Sequence, residues 1–301
     1  YPPCWPSRCR SDGPSRQPEI KSGFAYHLRM SSDRAELNPP RFGSRTTLPA
    51  GLSLLIAVIV AWAHWPAMSA RAYCFDDQDY LIDNALVRSP GLDSAGRFFT
   101  EISRPSTVAG YYQPLTMVSP MLDAAMGGSA DNLRPFHRTS LTLHVANTLL
   151  LFLLMYLLFA DSWAAALAAM VFGVHPLTVE PIAWVSERKT LLATFFALVS
   201  LVCYVRYTQR RERAAYAGTS LAYALALLSK PTSLPLPVIM LLLDYWPLRR
   251  SSRRVVTEKI PLFAIAAISS AVTLLSQART FGVDLPGAHF WTEAPLRFCH
   301  N

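Results

Sequence analysis

Three aspartates lie close together in the segment FDDQDY, residues 75–80. A carboxylate within hydrogen-bond reach of a hydroxyl can take its proton, so Asp76 or Asp77 could act as a general base. Taken alone, the cluster is more simply explained as solvating the mouth of a loop, because a short acidic match is weak evidence by itself. The choice between these interpretations depends on the surrounding sequence.

A second charged segment, HPLTVEPIAWVSERK, occupies residues 175–189. If it is helical after Pro181, Trp184 and Arg188 share one helix face. Arg188 and Lys189 could bind a phosphate group, the first through its bidentate fork and the second as a point charge. Alternatively, both snorkel to a membrane interface, as basic residues at the ends of spans commonly do.

Further polar residues interrupt apolar stretches. His144 and Asn147 share a helix face, and we expect them to form hydrogen bonds with neighbouring helices. His137 lies at the mouth of the same stretch and is the better candidate for contact with a substrate. Lys230 could add positive charge to a phosphate site, whereas Asp244 is interpreted as structural.

The composition indicates a membrane protein. The 301 residues are 51% hydrophobic and only 16% charged, which leaves too little polar surface to cover a soluble protein of this size. The formal charge of +8 does not indicate nucleic-acid binding, because the basic residues form short clusters beside apolar stretches. The five cysteines are scattered and predict neither a disulfide framework nor a metal site.

The apolar stretches predict an all-α integral membrane protein, a bundle of about seven transmembrane helices. The stretches are residues 48–68, 139–160, 162–178, 189–206, 214–229, 232–248 and 260–277. A long polar loop, residues 70–137, follows the first of them. Residues 1–47 are predicted to be a disordered cytoplasmic extension or mistranslated upstream sequence, and residues 278–301 an irregular tail.

The distribution of arginines predicts the orientation in the membrane, because cytoplasmic loops hold an excess of Lys and Arg. If Arg41 and Arg45 are cytoplasmic, alternate crossings place the arginines of residues 206–213 and 249–254 on the same side. An error of one span between these groups would put one of them on the wrong side. The count therefore predicts a cytoplasmic N-terminus and places residues 70–137, residues 175–189 and Lys230 on the outer face.

Six sequence blocks follow one another between residues 70 and 277: FDDQDYLIDNALVRSPGL, YYQPLTMVSPMLDAAMGG, FHRTSLTLHVANTLLLFLLMYLL, HPLTVEPIAWVSERKTLLATFF, LLSKPTSLPLPVIMLLLDYWPLRR and EKIPLFAIAAISSAVTLLSQ. In this order they resemble bacterial membrane proteins with tetratricopeptide repeats. Those proteins are similar to the transmembrane and tetratricopeptide-repeat O-mannosyltransferases of the GT-C glycosyltransferase superfamily. Several ordered blocks are more specific than any single short motif.

The resemblance implies an inverting enzyme of the bacterial cytoplasmic (inner) membrane. It would transfer a sugar, a hexose such as mannose, from a polyprenyl-phosphate carrier to a hydroxyl of a protein or glycan acceptor. The superfamily has an essential acidic residue in the first outer loop, which corresponds here to the catalytic pair Asp76 and Asp77. Asp76 is favoured as the base because it aligns with the first acidic position, while Asp77 could orient the acceptor or a divalent cation. The residues assigned to substrate binding are His137, His175, Glu180, Arg188, Lys189 and Lys230.

The chain also departs from that family. It contains no helical repeat of about 34 residues, the tail after Gln277 no longer follows the family, and Thr190 stands at a position that is usually acidic. The missing repeats and the tail are typical of a truncated or frame-shifted fragment, and Thr190 weakens any role assigned to its site. Two alternatives therefore stay open: an inactive fragment of the transferase, or a non-catalytic membrane protein such as a transporter or an assembly platform. The polar residues gather at one face and not in the middle of the membrane, which favours an enzyme over a transporter.

Overall fold

The structure, a computed structural model, describes residues 47–71 and 76–280. Within these ranges the chain is helical, and its β pairing is a single bridge between Ser129 and Asn132. The described helices are α1 (Thr47–His64), α2 (Ala85–Arg88), α3 (Leu92–Phe99), α4 (Pro114–Ala125), α5 (Arg134–Phe159), α6 (Ser162–Gly173), α7 (Val179–Ala183), α8 (Arg188–Arg210), α9 (Arg213–Ser229), α10 (Leu236–Tyr245), α11 (Arg253–Thr257) and α12 (Ile260–Thr280). The all-α prediction is confirmed over the described residues. Most of the predicted N-terminal extension and of the predicted tail lies outside them.

Four described segments are long and apolar enough to cross a membrane: Leu48–Ser69, Arg134–Phe159, Val185–Arg210 and Arg253–Thr280. A fifth results if Ser162–Gly173 and Pro176–Ala183 are taken as one span, although the chain bends by 57° between them. These segments agree with the prediction of an integral membrane protein. The expected count of seven spans is not confirmed.

Prolines explain why several helices are shorter than the apolar runs that contain them. Proline lacks an N–H donor, and it also disfavours helical backbone at the residue before it. The stretch 162–178 is helical only to Gly173, ahead of the sequence His175-Pro176. The stretch 232–248 yields the 10-residue α10, about 15 Å long at about 1.5 Å per residue, against the roughly 30 Å of hydrocarbon in a bilayer.

The loop expected at residues 70–137 contains several helices and in part belongs to the bundle. Its longest helix, α4, packs against α5, α8 and α9. The hydroxyl of Thr116 in α4 donates to the carbonyl of Ser229, the last residue of α9, at 2.7 Å. Met117 and Met121 on the same helix are buried. This segment therefore forms a packed layer across one end of the bundle.

Close packing joins α1, α5 and α6 around Gly173. A Cβ atom at this position would lie 2.6 Å from a methyl carbon of Val60 and 2.8 Å from one of Thr148. The carbonyl of Gly173 is 2.8 Å from His64 Nε2 and 2.9 Å from His144 Nε2. The prediction that His144 bonds to a neighbouring helix is thus confirmed.

The hydrophobic cluster with the most buried residues in the described structure surrounds α8. Tyr204, Tyr223, Met240 and Leu262, from α8, α9, α10 and α12, are fully buried in one hydrophobic cluster. Helix α8 does not continue from α7, because the backbone at Trp184 is extended. The expectation that Trp184 and Arg188 share one helix face is therefore wrong, and Arg188 instead begins a new helix.

Candidate functional site

Lys189, in the first turn of α8, connects the acidic loop to the bundle. Its ammonium group lies 3.1 Å from Asp76 Oδ2 and 3.2 Å from Glu187 Oε1. It also lies 5.1 Å from the centre of the Tyr80 ring. The Lys189 side chain is only 8% exposed, whereas that of Asp76 is 48% exposed. Asp76 is thus held by a buried cation while part of its carboxylate faces outward.

Glu187 joins this pair to a second lysine. Its Oε2 atom accepts a hydrogen bond from the Thr190 hydroxyl at 2.6 Å and lies 3.4 Å from Lys230 Nζ. Lys230 also donates to the Thr190 hydroxyl at 2.8 Å. We refer to these five residues, Asp76, Glu187, Lys189, Thr190 and Lys230, as the lysine–carboxylate cluster. It balances two carboxylates against two ammonium groups.

Arg188 is buried, whereas a side chain that binds a phosphate group was expected to be accessible. Its guanidinium is 1% exposed and forms an ion pair with Asp123 of α4, which is equally buried. It also donates to Ser119 Oγ at 3.2 Å and to the carbonyl of Phe136. Arg188 and Lys189 therefore lie on different sides of the helix start, and only Lys189 reaches the lysine–carboxylate cluster.

Asp77 is fully buried, in contrast to its neighbour Asp76. Its Oδ1 atom accepts a hydrogen bond from the backbone N–H of Ser186 at 2.8 Å. The bond ties the acidic loop to the turn that precedes α8. Asp77 is therefore placed to position the loop, while Asp76 is placed to meet a molecule from outside.

The turn after the two aspartates packs through Tyr80. This residue is buried, and the amide of Gln113 donates to its hydroxyl. Burial raises the pKa of Tyr80 above its ordinary value. Asp79, by contrast, is exposed and lines a shallow depression together with Asp83 and Asn84. The predicted acidic loop thus contains one buried, one cation-bound and one open carboxylate.

The structure does not bring His137, His175 or Glu180 into the lysine–carboxylate cluster. His137 is fully buried, with Nε2 3.1 Å from the carbonyl of Ala70 and Nδ1 3.4 Å from that of Ile182. His175 is exposed, and its Nδ1 accepts the backbone N–H of Leu177 at 3.2 Å. The side chains of both histidines therefore form hydrogen bonds with backbone groups of the chain.

Glu180 is exposed in α7, and none of the described residues pairs with its carboxylate. Nor do the described residues include a group of three histidine, cysteine or acidic side chains placed to hold a metal ion. The lysine–carboxylate cluster contains carboxylates, which can accept a proton, and ammonium groups, which can bind an anion.

A groove between α8 and α10 begins beside the lysine–carboxylate cluster. The end of the groove nearest the cluster is lined by the hydroxyl-bearing residues Thr190, Thr232 and Ser233. The rest of the lining is mainly apolar and comes from residues such as Leu198 and Ile239. Its volume is about 280 Å³. The groove therefore offers a polar end near Lys230 and an apolar continuation along the helices.

Sequence reasoning missed Asp123 and Glu187. Asp123 lies in the block PMLDAA, where an acidic side chain interrupts an apolar run. A charge among apolar residues of a membrane protein is costly unless it is paired, so this position was a signal for a buried cation. Glu187 directly precedes the Arg-Lys pair, and its proximity to both lysines follows only from the turn before α8.

Comparison with known proteins gives partial matches to one group. The chain is 25% identical over 185 residues to the protein O-mannosyl-transferase TMTC2 of Mus musculus, covering 60% of this chain and 22% of the relative. The match to TMTC2 of Homo sapiens is 32% identical over 100 residues, 33% of this chain and 12% of the relative. The match to Tmtc2 of Drosophila melanogaster is 27% identical over 233 residues, 72% of this chain and 24% of the relative.

The chain therefore spans about a quarter or less of the length of these relatives. No family model and no solved structure matches it. The similarity agrees with the O-mannosyltransferase resemblance found in the sequence.

Proposed function

We propose that this chain is the membrane part of a glycosyltransferase that moves a sugar, a hexose such as mannose, from a polyprenyl-phosphate carrier to an acceptor hydroxyl on the extracytoplasmic face. Similarity to proteins named O-mannosyl-transferases supports the transfer of a sugar. The observation that carries the proposal is the carboxylate of Asp76, which is half exposed and is held by Lys189.

Asp76 is the base in this proposal. Inverting transfer needs a carboxylate that takes the proton of the acceptor hydroxyl while the oxygen attacks the anomeric carbon. Asp76 meets the steric requirement, because its side chain is 48% exposed and only one of its oxygens contacts Lys189. Asp77 does not, since it is fully buried and bonded to Ser186.

Lys189 and Lys230 stabilise the leaving phosphate. Breaking the bond between the sugar and the carrier places additional negative charge on the phosphate in the transition state. Positioned cations favour that state over the less charged ground state, which is how such groups accelerate a reaction. Glu187 holds both ammonium groups in place, at 3.2 Å from Lys189 and 3.4 Å from Lys230. Arg188 is excluded from this role, because its guanidinium is fully used by buried partners.

The groove between α8 and α10 supports a substrate that is attached to a lipid. A polyprenyl phosphate has a charged head and a long apolar chain, so its binding site needs both characters side by side. The hydroxyls of Thr190 and Ser233 lie at one end of the groove, and Leu198 and Ile239 lie along it. A water-soluble sugar nucleotide has no apolar chain that could bind along the apolar part of the groove.

The test is transfer of labelled mannose from mannosyl polyprenyl phosphate by membranes that contain the chain. We expect Asp76→Asn to lower the rate by about 10²–10⁴-fold, the usual contribution of a positioned base. Asp79→Asn is the matched control, because Asp79 is an exposed aspartate three residues further along. It should leave the rate near that of the unchanged chain.

Two results would contradict the proposal. Equal rates for Asp76→Asn and Asp79→Asn would exclude Asp76 as the base. If the unchanged chain, inserted and folded, transferred no sugar from this donor, the transferase assignment would fail, and a non-catalytic membrane protein or an inactive fragment would be favoured instead.

A further inference from the structure

The opposite end of the bundle carries a second group of charges. Helix α8 runs from Arg188 to Arg210, so its last residue lies about 31 Å from Lys189 at about 1.5 Å per residue. At this end the ammonium of Lys259 lies 2.6 Å from Asp244 Oδ2, and both side chains are fully buried. The hydroxyl of Tyr204 donates to the same carboxylate at 2.5 Å. These contacts join α8, α10 and the turn that precedes α12.

The carboxylates of this end are already occupied. Besides Lys259, Asp244 binds Arg250 at 2.8 Å. Glu258 binds Arg250 at 2.7 Å and Arg211 at 2.9 Å, and it lies 3.5 Å from Arg254. Asp244 and Glu258 therefore already have cationic partners, and Glu212 is paired with Arg210 at 3.8 Å.

Four exposed arginines consequently lack an internal counter-charge. No carboxylate among the described residues forms an ion pair with them, and their side chains extend from the last turns of α8, the start of α9, the chain after α10 and the start of α11. We call them the arginine girdle: Arg206, Arg213, Arg249 and Arg253.

Large aromatic side chains are exposed at the same end. Trp246 is 62% exposed and packs against Phe159, the last residue of α5, with ring centres 5.6 Å apart. Tyr245 and Trp163 are 80% and 66% exposed. Tryptophan and tyrosine gather where a membrane meets water, at the level of the lipid headgroups. In a membrane, aromatic side chains at this level would place the arginine girdle at the depth of the headgroup phosphates.

We propose that the arginine girdle binds the headgroups of anionic phospholipids. Guanidinium groups match phosphate geometry through paired hydrogen bonds, and basic residues beside spanning helices are attracted to anionic lipid surfaces. The exposed aromatics favour a lipid surface over an acidic protein or a nucleic acid, because their apolar bodies would be left in water in either of those complexes. The inference does not depend on the proposed function.

Titration of the purified chain with phosphatidylglycerol and with phosphatidylcholine, followed by native mass spectrometry, tests the proposal. We expect at least about tenfold tighter binding of phosphatidylglycerol, given that each basic residue near an anionic surface contributes about fivefold. The fourfold Arg→Gln variant of the arginine girdle should lose most of this preference. The matched control makes the same change at four exposed arginines of the other end, Arg88, Arg104, Arg134 and Arg138, and should keep the preference.

The proposal is overturned if the unchanged chain shows no preference, or if the control loses as much of it as the girdle variant. A second measurement does not depend on the variant folding. Raising the ionic strength from about 0.1 M to about 1 M shortens the Debye length from about 10 Å to about 3 Å and should weaken phosphatidylglycerol binding by the unchanged chain. A preference insensitive to salt, or binding of duplex DNA without any lipid preference, would also refute it.

Discussion

The buried ion pair between Arg188 and Asp123 makes the sharpest prediction about stability. Both side chains are 1% exposed, and the pair connects the start of α8 to α4. In Arg188→Met, the one hydrogen bond that Asp123 would keep from the described side chains is that of the Thr139 hydroxyl, at 2.6 Å. A buried charge left without its partner costs about 3–5 kcal/mol. We expect a loss of this size in the free energy of unfolding.

The double variant separates this cause from a simple loss of packing. Replacing a buried pair by apolar groups of similar volume is often neutral, because neither charge then remains to be desolvated. Arg188→Met combined with Asp123→Leu should therefore recover most of the stability lost by Arg188→Met alone. The double-mutant cycle should give a coupling free energy of about 2–3 kcal/mol.

The assay is reversible unfolding of the purified chain in mixed micelles of increasing dodecyl sulfate content, followed by circular dichroism. The pair of Arg210 and Glu212 offers a matched control, because it is exposed, with side chains 64% and 57% accessible and 3.8 Å apart. Breaking it by Arg210→Met should cost less than about 1 kcal/mol. The reasoning fails if Arg188→Met costs no more than Arg210→Met, or if the cycle shows no coupling.

Two further predictions use the same unfolding assay. Gly173→Ala should destabilise the chain by about 1–3 kcal/mol, because the added Cβ would overlap Val60 and Thr148; unchanged stability would show that α1 and α5 can move apart. Burial raises the pKa of Tyr80 in the folded chain, so the folded state favours the protonated phenol. The contribution of Tyr80 to the free energy of unfolding is therefore fully present below pH 10 and is lost as the pH rises through the folded-state pKa. Tyr80→Phe should therefore reduce the loss of stability above pH 10, and parallel losses in both proteins would contradict this.

Local properties of the sequence predicted the positions of the main helices. The apolar runs that contain α1, α5, α8 and α12 are visible directly, because hydrophobicity over about 20 residues is enough to indicate a span. The same reasoning predicted seven spans, of which the described residues confirm four, or five if the bent pair is one span. Proline limits α10 to 10 residues, and average hydropathy does not register that constraint.

The sequence also indicated which charged residues belong together, but not how each is used. Asp76, Lys189 and Lys230 were predicted on one face, and the structure brings them together around Glu187. Arg188 was expected beside them and is instead paired with Asp123. Successive residues of a helix point about 100° apart, so neighbours at the start of α8 meet different parts of the molecule.

The sequence by itself determined that this is an all-α membrane protein with a carboxylate loop near basic residues, because composition and apolar runs are local properties. Only the tertiary structure decided that Asp77 is buried while Asp76 remains open. That distinction depends on the hydrogen bond from Ser186, which lies 109 residues further along the chain. Contacts over such distances follow from the packing of helices, and a single sequence does not record them.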